Sequence, residues 1–263
     1  MPRTIVITGA SSGIGEALAL SYARDRERLG LLGRSNHRLD RVAEVCRNVG
    51  AAISTAAIDV RAHAEMEEWL QRFDDEGPVD LVIANAAIMG GSAALNEPES
   101  AEIARTLIET NVLGVINTVQ PILPRMMARG RGQIAIVSSV AAFLPLADAP
   151  SYGASKSALL SYGLALRSLL SPRGIRVSVI CPGYVATPMM HQESGPKPFA
   201  MPPEQAAALI KRGLRRNRPV IAFPTTFALI TRVGGMLPDR LRRWTSRPFR
   251  FTVSKRVDPD QDV

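Results

Sequence analysis

The sequence predicts an α/β fold, a doubly wound parallel sheet of about seven strands in one domain, followed by a basic C-terminal extension. Three observations carry this. Short apolar runs alternate with helical patterns over the first two-thirds of the 263 residues. Those runs lack the polar–apolar alternation of half-exposed strands, as expected where helices cover both faces of a sheet. A glycine-rich stretch, Gly9-Ala10-Ser11-Ser12-Gly13-Ile14-Gly15, stands between the first apolar run and the first helical one.

The elements follow in order. Residues 4–8 form an apolar run that ends in the glycine-rich turn, and a helical pattern continues to about residue 24. Residues 29–34 read as a second short strand, with a charged helix near 37–48. A third strand at 51–58 is followed by a helix at 62–73. The apolar run 81–84 is a fourth strand, and one long helix spans about 100–128. A fifth strand at 133–138 precedes a helix from about 152 to 170. Residues 176–180 are a sixth strand, 205–212 a short helix and 220–223 a seventh strand. No linker, repeat or low-complexity segment interrupts this pattern. It predicts a domain over 1–223, with its ligand outside the carboxyl ends of the strands, and an extension over 224–263.

Composition narrows the class. A hydrophobic content of 46% is that of a globular chain. The first residues lead straight into a strand with no signal-like segment, and no apolar run is long enough for a clear membrane span. Two cysteines, Cys46 and Cys181, make no disulfide framework, so a reducing cytoplasm is expected. His37, His63 and His191 have no metal-ligand spacing, and no metal site is expected. The net charge of +8 is uneven. Between Lys211 and Arg256 thirteen Lys or Arg face one acid, Asp239, so this segment carries +12 and the remainder −4.

Two motifs carry chemistry. Glycines in the first turn would let the main chain approach a pyrophosphate, and the helix behind it offers free amides and a positive dipole end. An ordinary Gly/Ser-rich turn is the plainer alternative, but the place at the first strand–helix junction favours a dinucleotide. Tyr152 and Lys156 lie four residues apart, one turn apart on one helix face. An ammonium beside a phenol favours the phenolate and makes the phenol a better proton donor or acceptor near neutral pH. Alone the pair is weak evidence, since a surface tyrosine above a solvated lysine has the same spacing.

Together the motifs are specific. Thr8-Gly9-x-x-x-Gly13-x-Gly15, with Tyr152-x-x-x-Lys156 about 140 residues later, closely resembles the short-chain dehydrogenase/reductase family over residues 4 to about 190. The resemblance implies a Rossmann-type sheet, a nicotinamide dinucleotide and a tetrad of Asn111, Ser139, Tyr152 and Lys156. Tyr152 would be the general acid in carbonyl reduction and the base in reverse. Lys156 would lower its pKa, together with the oxidised nicotinamide, and bond the nicotinamide ribose. Ser139 would hold the substrate oxygen, and Asn111 a water of a proton relay. Cofactor positions implied in the same way are Gly9, Ser11, Ser12, Gly13, Ile14 and Gly15 in the turn. Asp59 and Val60 match the adenine site, Asn85 and Ala86 the end of the fourth strand. Pro182, Gly183, Val185 and Thr187 follow the sixth strand, and Tyr152 and Lys156 complete the set. The run Ala84-Asn85-Ala86-Ala87 departs from the family's Asn-Asn-Ala-Gly at its first and last residues.

Arg34 ends the second strand, where an acid would bind two ribose hydroxyls and repel a 2′-phosphate. A guanidinium pairs with phosphate through two hydrogen bonds and stacks on adenine. NADP(H) is therefore expected over NAD(H), with Arg38 as a second partner; the alternative is an arginine that caps a strand in solvent. On the substrate side, Ser139, Phe143, Leu144, Met189 and Met190 are expected at a pocket under a lid of about 187–203. Methionines suit an adaptable apolar pocket, with a loosely packed loop as the plainer alternative; an apolar carbonyl or alcohol is expected, lipid-like if the extension docks on a membrane. A homodimer or homotetramer is implied by the resemblance. A non-catalytic nucleotide sensor or scaffold on the same fold is the competing reading.

The extension is the least family-like part. Residues 223–237 are apolar, and 238–250 are strongly basic with Trp244, Phe249 and Phe251 in or beside them. Three readings stay open: a helix packed on the domain or a neighbouring subunit, docking on an anionic membrane surface, and nucleic-acid binding, the least favoured. The second would place the protein on the inner face of a membrane.

Overall fold

The computed structural model describes residues 3–246 and 250–253. Its elements are β1 (Thr4–Thr8), α1 (Gly13–Ala23), β2 (Arg28–Gly33), α2 (Asn36–Asn48), β3 (Ala52–Ala57), α3 (His63–Glu76) and β4 (Leu81–Ala84). Then come α4 (Ala101–Ile108), α5 (Gly114–Val119), α6 (Leu123–Arg129), β5 (Gly132–Val137), α7 (Pro150–Leu170), β6 (Ile175–Pro182) and α8 (Pro188–His191). The chain continues through α9 (Pro203–Arg215), β7 (Val220–Phe223), α10 (Thr225–Met236) and α11 (Asp239–Ser246).

All seven strands pair in parallel, in the order β3-β2-β1-β4-β5-β6-β7. β1 pairs with β2 on one side and β4 on the other, so the chain reverses its direction of travel across the sheet there. The loops that leave β1 and β4 part to opposite faces, and a crevice opens at the strands' carboxyl ends. Successive residues of β1 show why both faces are apolar. Ile5 and Ile7 join Leu18 of α1, Leu39 of α2 and Ile210 of α9. Val6 points the other way, to Trp69 and Phe73 of α3, Val119 of α5 and Leu166 of α7. Each such fully buried aliphatic side chain contributes about 1.5–3 kcal/mol.

One expected element differs. The long helix over 100–128 is three helices, with a π turn at Glu109–Leu113 between α4 and α5. Long-range bonds accompany the π turn: the Asn111 amide binds the main chain of Ile88, after β4. The break before α6 falls in a stretch with Pro121 and Pro124, neither of which has the N–H an uninterrupted helix needs. Among the described residues, no helix is long and apolar enough to cross a membrane.

Candidate active site

The glycine-rich turn is built around Thr8 and Asn85. The Thr8 hydroxyl accepts from the N–H groups of Asn85 at 3.1 Å and Ala86 at 3.2 Å. The Asn85 amide donates back to the carbonyls of Thr8 at 3.0 Å and Gly9 at 3.2 Å. Asn85 is thus a strut that ties the β1 turn to the β4 turn. Gly9 has a left-handed φ of 64°, which a side chain would strain. Ser12 caps α1 by position, yet its side chain makes no cap hydrogen bond. Ser12, Gly13 and Ile14 face the cleft. The Ser11 hydroxyl is buried without a hydrogen-bond partner, next to Gly33 at the end of β2. Unpaired first-turn amides and an unpaired hydroxyl are what a phosphate-bearing dinucleotide would use, so the residues fit that group.

Four more residues meet at the carboxyl ends of β4 and β5. Ser139 follows β5; its Oγ accepts from the N–H of Ala141 at 3.1 Å and donates to the carbonyl of Pro182 at 3.4 Å. Tyr152 and Lys156 stand in the first two turns of α7. That helix starts at Pro150, earlier than expected, because proline suits a helix's first turn. Lys156 is buried, and its ammonium donates to the Val137 carbonyl at 3.4 Å. Asn111 is buried in the π turn. Its amide accepts from the Ile88 N–H at 2.8 Å and donates to the Ile88 carbonyl at 3.0 Å and to Ser155 at 3.2 Å. Its side chain therefore joins three segments of the site.

Lys156 together with the oxidised nicotinamide is expected to lower the pKa of Tyr152. In the protein alone, burial pushes the Tyr152 phenol up to about 12; a hydrogen bond with Ser139 pulls it down and the Glu193 charge pushes it up. Burial pushes Lys156 down to about 8. The ammonium sits 5.5 Å from the Tyr152 ring centre and is engaged by Val137. Desolvation of the charged form is the largest cause of the shift in each group.

The ends of the second and third strands hold a separate group. Arg61 clasps Asp59 with its main-chain N–H at 2.9 Å and its guanidinium at 2.7 Å. Burial raises the Asp59 carboxyl, but the Arg61 hydrogen bonds and the nearby Arg34 charge outweigh it and hold the group below the usual range. Val60 is buried, and its carbonyl accepts from Asn117 at 2.9 Å. Ser11, Arg34, Asp59 and Val60 do not line the large cleft.

That cleft has a volume of about 1430 Å³ and runs from the glycine-rich turn past Ser139, Tyr152 and Lys156. Leu144, Met189, Met190, Pro182, Gly183, Val185 and Thr187 line it, as does Asn85. Phe143 does not; its ring instead carries the Arg232 guanidinium at 4.3 Å. Met201 goes to the core, and Val185 pairs with it to close the base of the lid.

Sequence reasoning missed three contributors to the wall. α10 brings Phe227, Ile230 and Val233 over the cleft. Arg250 and Phe251 enter from the chain's far end. Glu193 is a carboxylate in the wall; the Tyr184 hydroxyl donates to it at 3.1 Å, and burial raises its pKa. No local motif marks any of them, though the alternation of aromatic and basic residues near 250 was a faint signal for Phe251.

Comparisons with known proteins agree on one family. The short chain dehydrogenase model matches residues 3–197. An uncharacterized oxidoreductase of Myxococcus xanthus is 35% identical over 249 residues, which is 94% of this chain and 98% of that protein. The ketoacyl reductase HetN of a Nostoc species is 31% identical, over 92% of this chain and 88% of its own. A solved short-chain dehydrogenase from Sphingobium yanoikuyae, in complex with NADPH, superposes with a TM-score of 0.76 at 27% identity, covering 86% of this chain and 89% of that one.

Proposed function

Because the chain belongs to the short-chain dehydrogenase family, we propose that it is an NADP(H)-dependent oxidoreductase that interconverts a carbonyl and an alcohol on an apolar, lipid-like substrate. The observation that carries this is Tyr152 and Ser139 joined in one cleft beside buried Lys156. Bound NADPH would supply the hydride. Tyr152 keeps its proton in a buried setting and donates it to the nascent alkoxide; in reverse it accepts it. Ser139, oriented by Ala141 and Pro182, hydrogen-bonds the reacting oxygen and stabilises its growing charge. Lys156 holds positive charge at the floor, and Asn111 fixes the geometry of the loop and helix around it. Resemblance to a ketoacyl reductase supports a carbonyl substrate, and the Met189, Met190, Phe227 and Ile230 wall supports an apolar one. NADPH oxidation against ketones of increasing hydrocarbon area tests this. Turnover is expected; NADPH binding with no turnover on any of them would favour the nucleotide-sensing reading.

The preference for NADP(H) rests on Arg34 and on the unpartnered Ser11 hydroxyl at the end of β2, two groups suited to a 2′-phosphate. Arg34→Asp is expected to weaken NADPH binding by about 10–100-fold, the scale of one lost charge-assisted pair, with little effect on NADH. Titration of both coenzymes reads this out, and equal loss for both would refute the assignment.

A membrane surface is the partner that the extension favours. α10 packs on the domain through Ala228 and Thr231, while Leu229, Met236, Leu241 and Trp244 are each more than half exposed. Arg232, Arg240, Arg242 and Arg243 lie among them against one acid, Asp239. Apolar anchors ringed by arginines suit an anionic bilayer. The protein should float with phosphatidylglycerol vesicles and not with phosphatidylcholine ones. Met236→Ser with Trp244→Ser should abolish flotation. No flotation of the unmodified protein would remove this reading.

A further inference from the structure

Residues 250–253 bind three loops that are distant in sequence, and two of them, Arg250 and Phe251, line the cleft. The Arg250 guanidinium grips Asp148, just before α7, with Nε 2.7 Å from both carboxylate oxygens and Nη2 2.6 Å from one. Asp148 is buried, and its carboxylate also accepts from the Phe251 N–H at 3.2 Å. The Val253 N–H donates to the Ser92 carbonyl at 3.0 Å, and the Ser92 N–H to the Asp148 carbonyl at 2.7 Å. On the lid, Ser194 donates its N–H to the Thr252 carbonyl at 2.9 Å, and Glu193 pairs antiparallel with Val253.

This clamp seats one side chain. Phe251 is buried with Met89, Ala149 and Val253, and Leu146, Tyr152 and Met189 pack against the same cluster. Both Arg250 and Phe251 line the cleft. A benzyl group thus stands in the same apolar cluster as the tyrosine at the reacting centre, held there by a doubly engaged ion pair whose carboxylate is buried and whose guanidinium is half-buried. Such an ion pair is sensitive to loss of one partner, because the other charge is left buried and unpaired.

We propose that Phe251 is a specificity-determining residue that limits the bulk of the substrate beside Tyr152, and that Arg250, through Asp148, is the positioning residue that seats it. The inference rests on the oxidoreductase reading for its kinetic test but not for its binding test. A volume of about 1430 Å³ is larger than most small-ligand pockets, so what bounds it near the reacting group decides which ketones fit productively. Phe251 shares its cluster with Tyr152 of α7 and Met189 of the lid, and α10 contributes Phe227, Ile230 and Val233 to the same cleft.

The test compares the full chain with Phe251→Ala and Arg250→Gln, using a series of ketones graded in bulk beside the carbonyl. Phe251→Ala should shift the ratio of kcat/KM for the bulkiest over the smallest ketone by about 10-fold or more, the range set by a few methylenes in an apolar pocket. NADPH affinity should stay within about twofold, because the strap formed by residues 250–253 bonds to Asp148, Ser92 and the lid. Arg250→Gln should raise KM across the series by about 10-fold with a smaller change in kcat, and should blunt the effect of adding Phe251→Ala. An unchanged size profile in Phe251→Ala, with normal NADPH binding, overturns the proposal. Nile red affinity is the second measurement. If no ketone turns over but Phe251→Ala changes Nile red affinity by several-fold, the oxidoreductase reading fails and the strap's place in the pocket stands. If turnover is normal and both readouts are unmoved, the strap reading fails alone.

Discussion

Tyr152→Phe is expected to lower kcat by about 10²–10⁴-fold, the usual contribution of a positioned general acid. The substitution removes one hydroxyl and leaves the ring in its apolar cluster with Phe251 and Met189. Stability and NADPH affinity should therefore change little, and a coenzyme titration beside the rate assay separates lost chemistry from lost binding. Burial pushes the Tyr152 hydroxyl up to about 12 in the protein alone, so it is protonated across the physiological range. The group that titrates nearer neutrality is Lys156, pushed down to about 8 by burial. For reduction, kcat/KM for NADPH should be flat below pH 8 and fall above it, as the ammonium loses its proton. Activity of Tyr152→Phe within a few-fold of the unmodified protein would sink the mechanism.

Gly15→Ala should be the most damaging single methyl in the chain for coenzyme binding. A Cβ on Gly15 would overlap the Gly9 carbonyl oxygen and lie 2.7 Å from the Asn85 amide nitrogen and 2.8 Å from the Gly9 carbonyl carbon. The obstacles are main chain and a fully engaged strut, so the turn itself has to move. Overpacking of that kind costs roughly 1–3 kcal/mol or more in stability. A comparable loss in binding, about 3 kcal/mol, is about 100-fold in Kd for NADPH. Thermal melting and coenzyme titration check the two losses separately. A variant that melts normally and binds NADPH normally would show that the turn tolerates the displacement.

Much of the fold could be read in advance, for a physical reason. Ile5, Val6 and Ile7 are apolar without alternation because helices cover both sides, and this leaves a mark within three residues. Seven strands were expected, and seven form one parallel sheet. Of the two breaks in the single long helix expected over 100–128, the π turn is accompanied by a contact from elsewhere, Asn111 with Ile88, whereas the break before α6 is local and was legible in Pro121 and Pro124. Phe143 was placed at the pocket by its nearness to Ser139 in sequence. Its ring instead meets Arg232, nearly ninety residues on, and nothing local announces that contact.

The glycine-rich turn, the tyrosine–lysine spacing and the apolar strands are local patterns, since one turn or one helical step sets the geometry they need. They are enough to place the chain in its family and to suggest its chemistry. Sheet order, burial and the outline of the cleft are long-range properties. Only the folded chain sets Lys156 near the Val137 carbonyl, away from water, where burial pushes its pKa down and pushes that of Tyr152 up. Only there does Arg250 find Asp148 across 102 positions of sequence and carry Phe251 to the cluster that Tyr152 packs against. Motifs are written where the chain is continuous; the pocket is made where it is not, by side chains whose neighbours exist only after the sheet has formed.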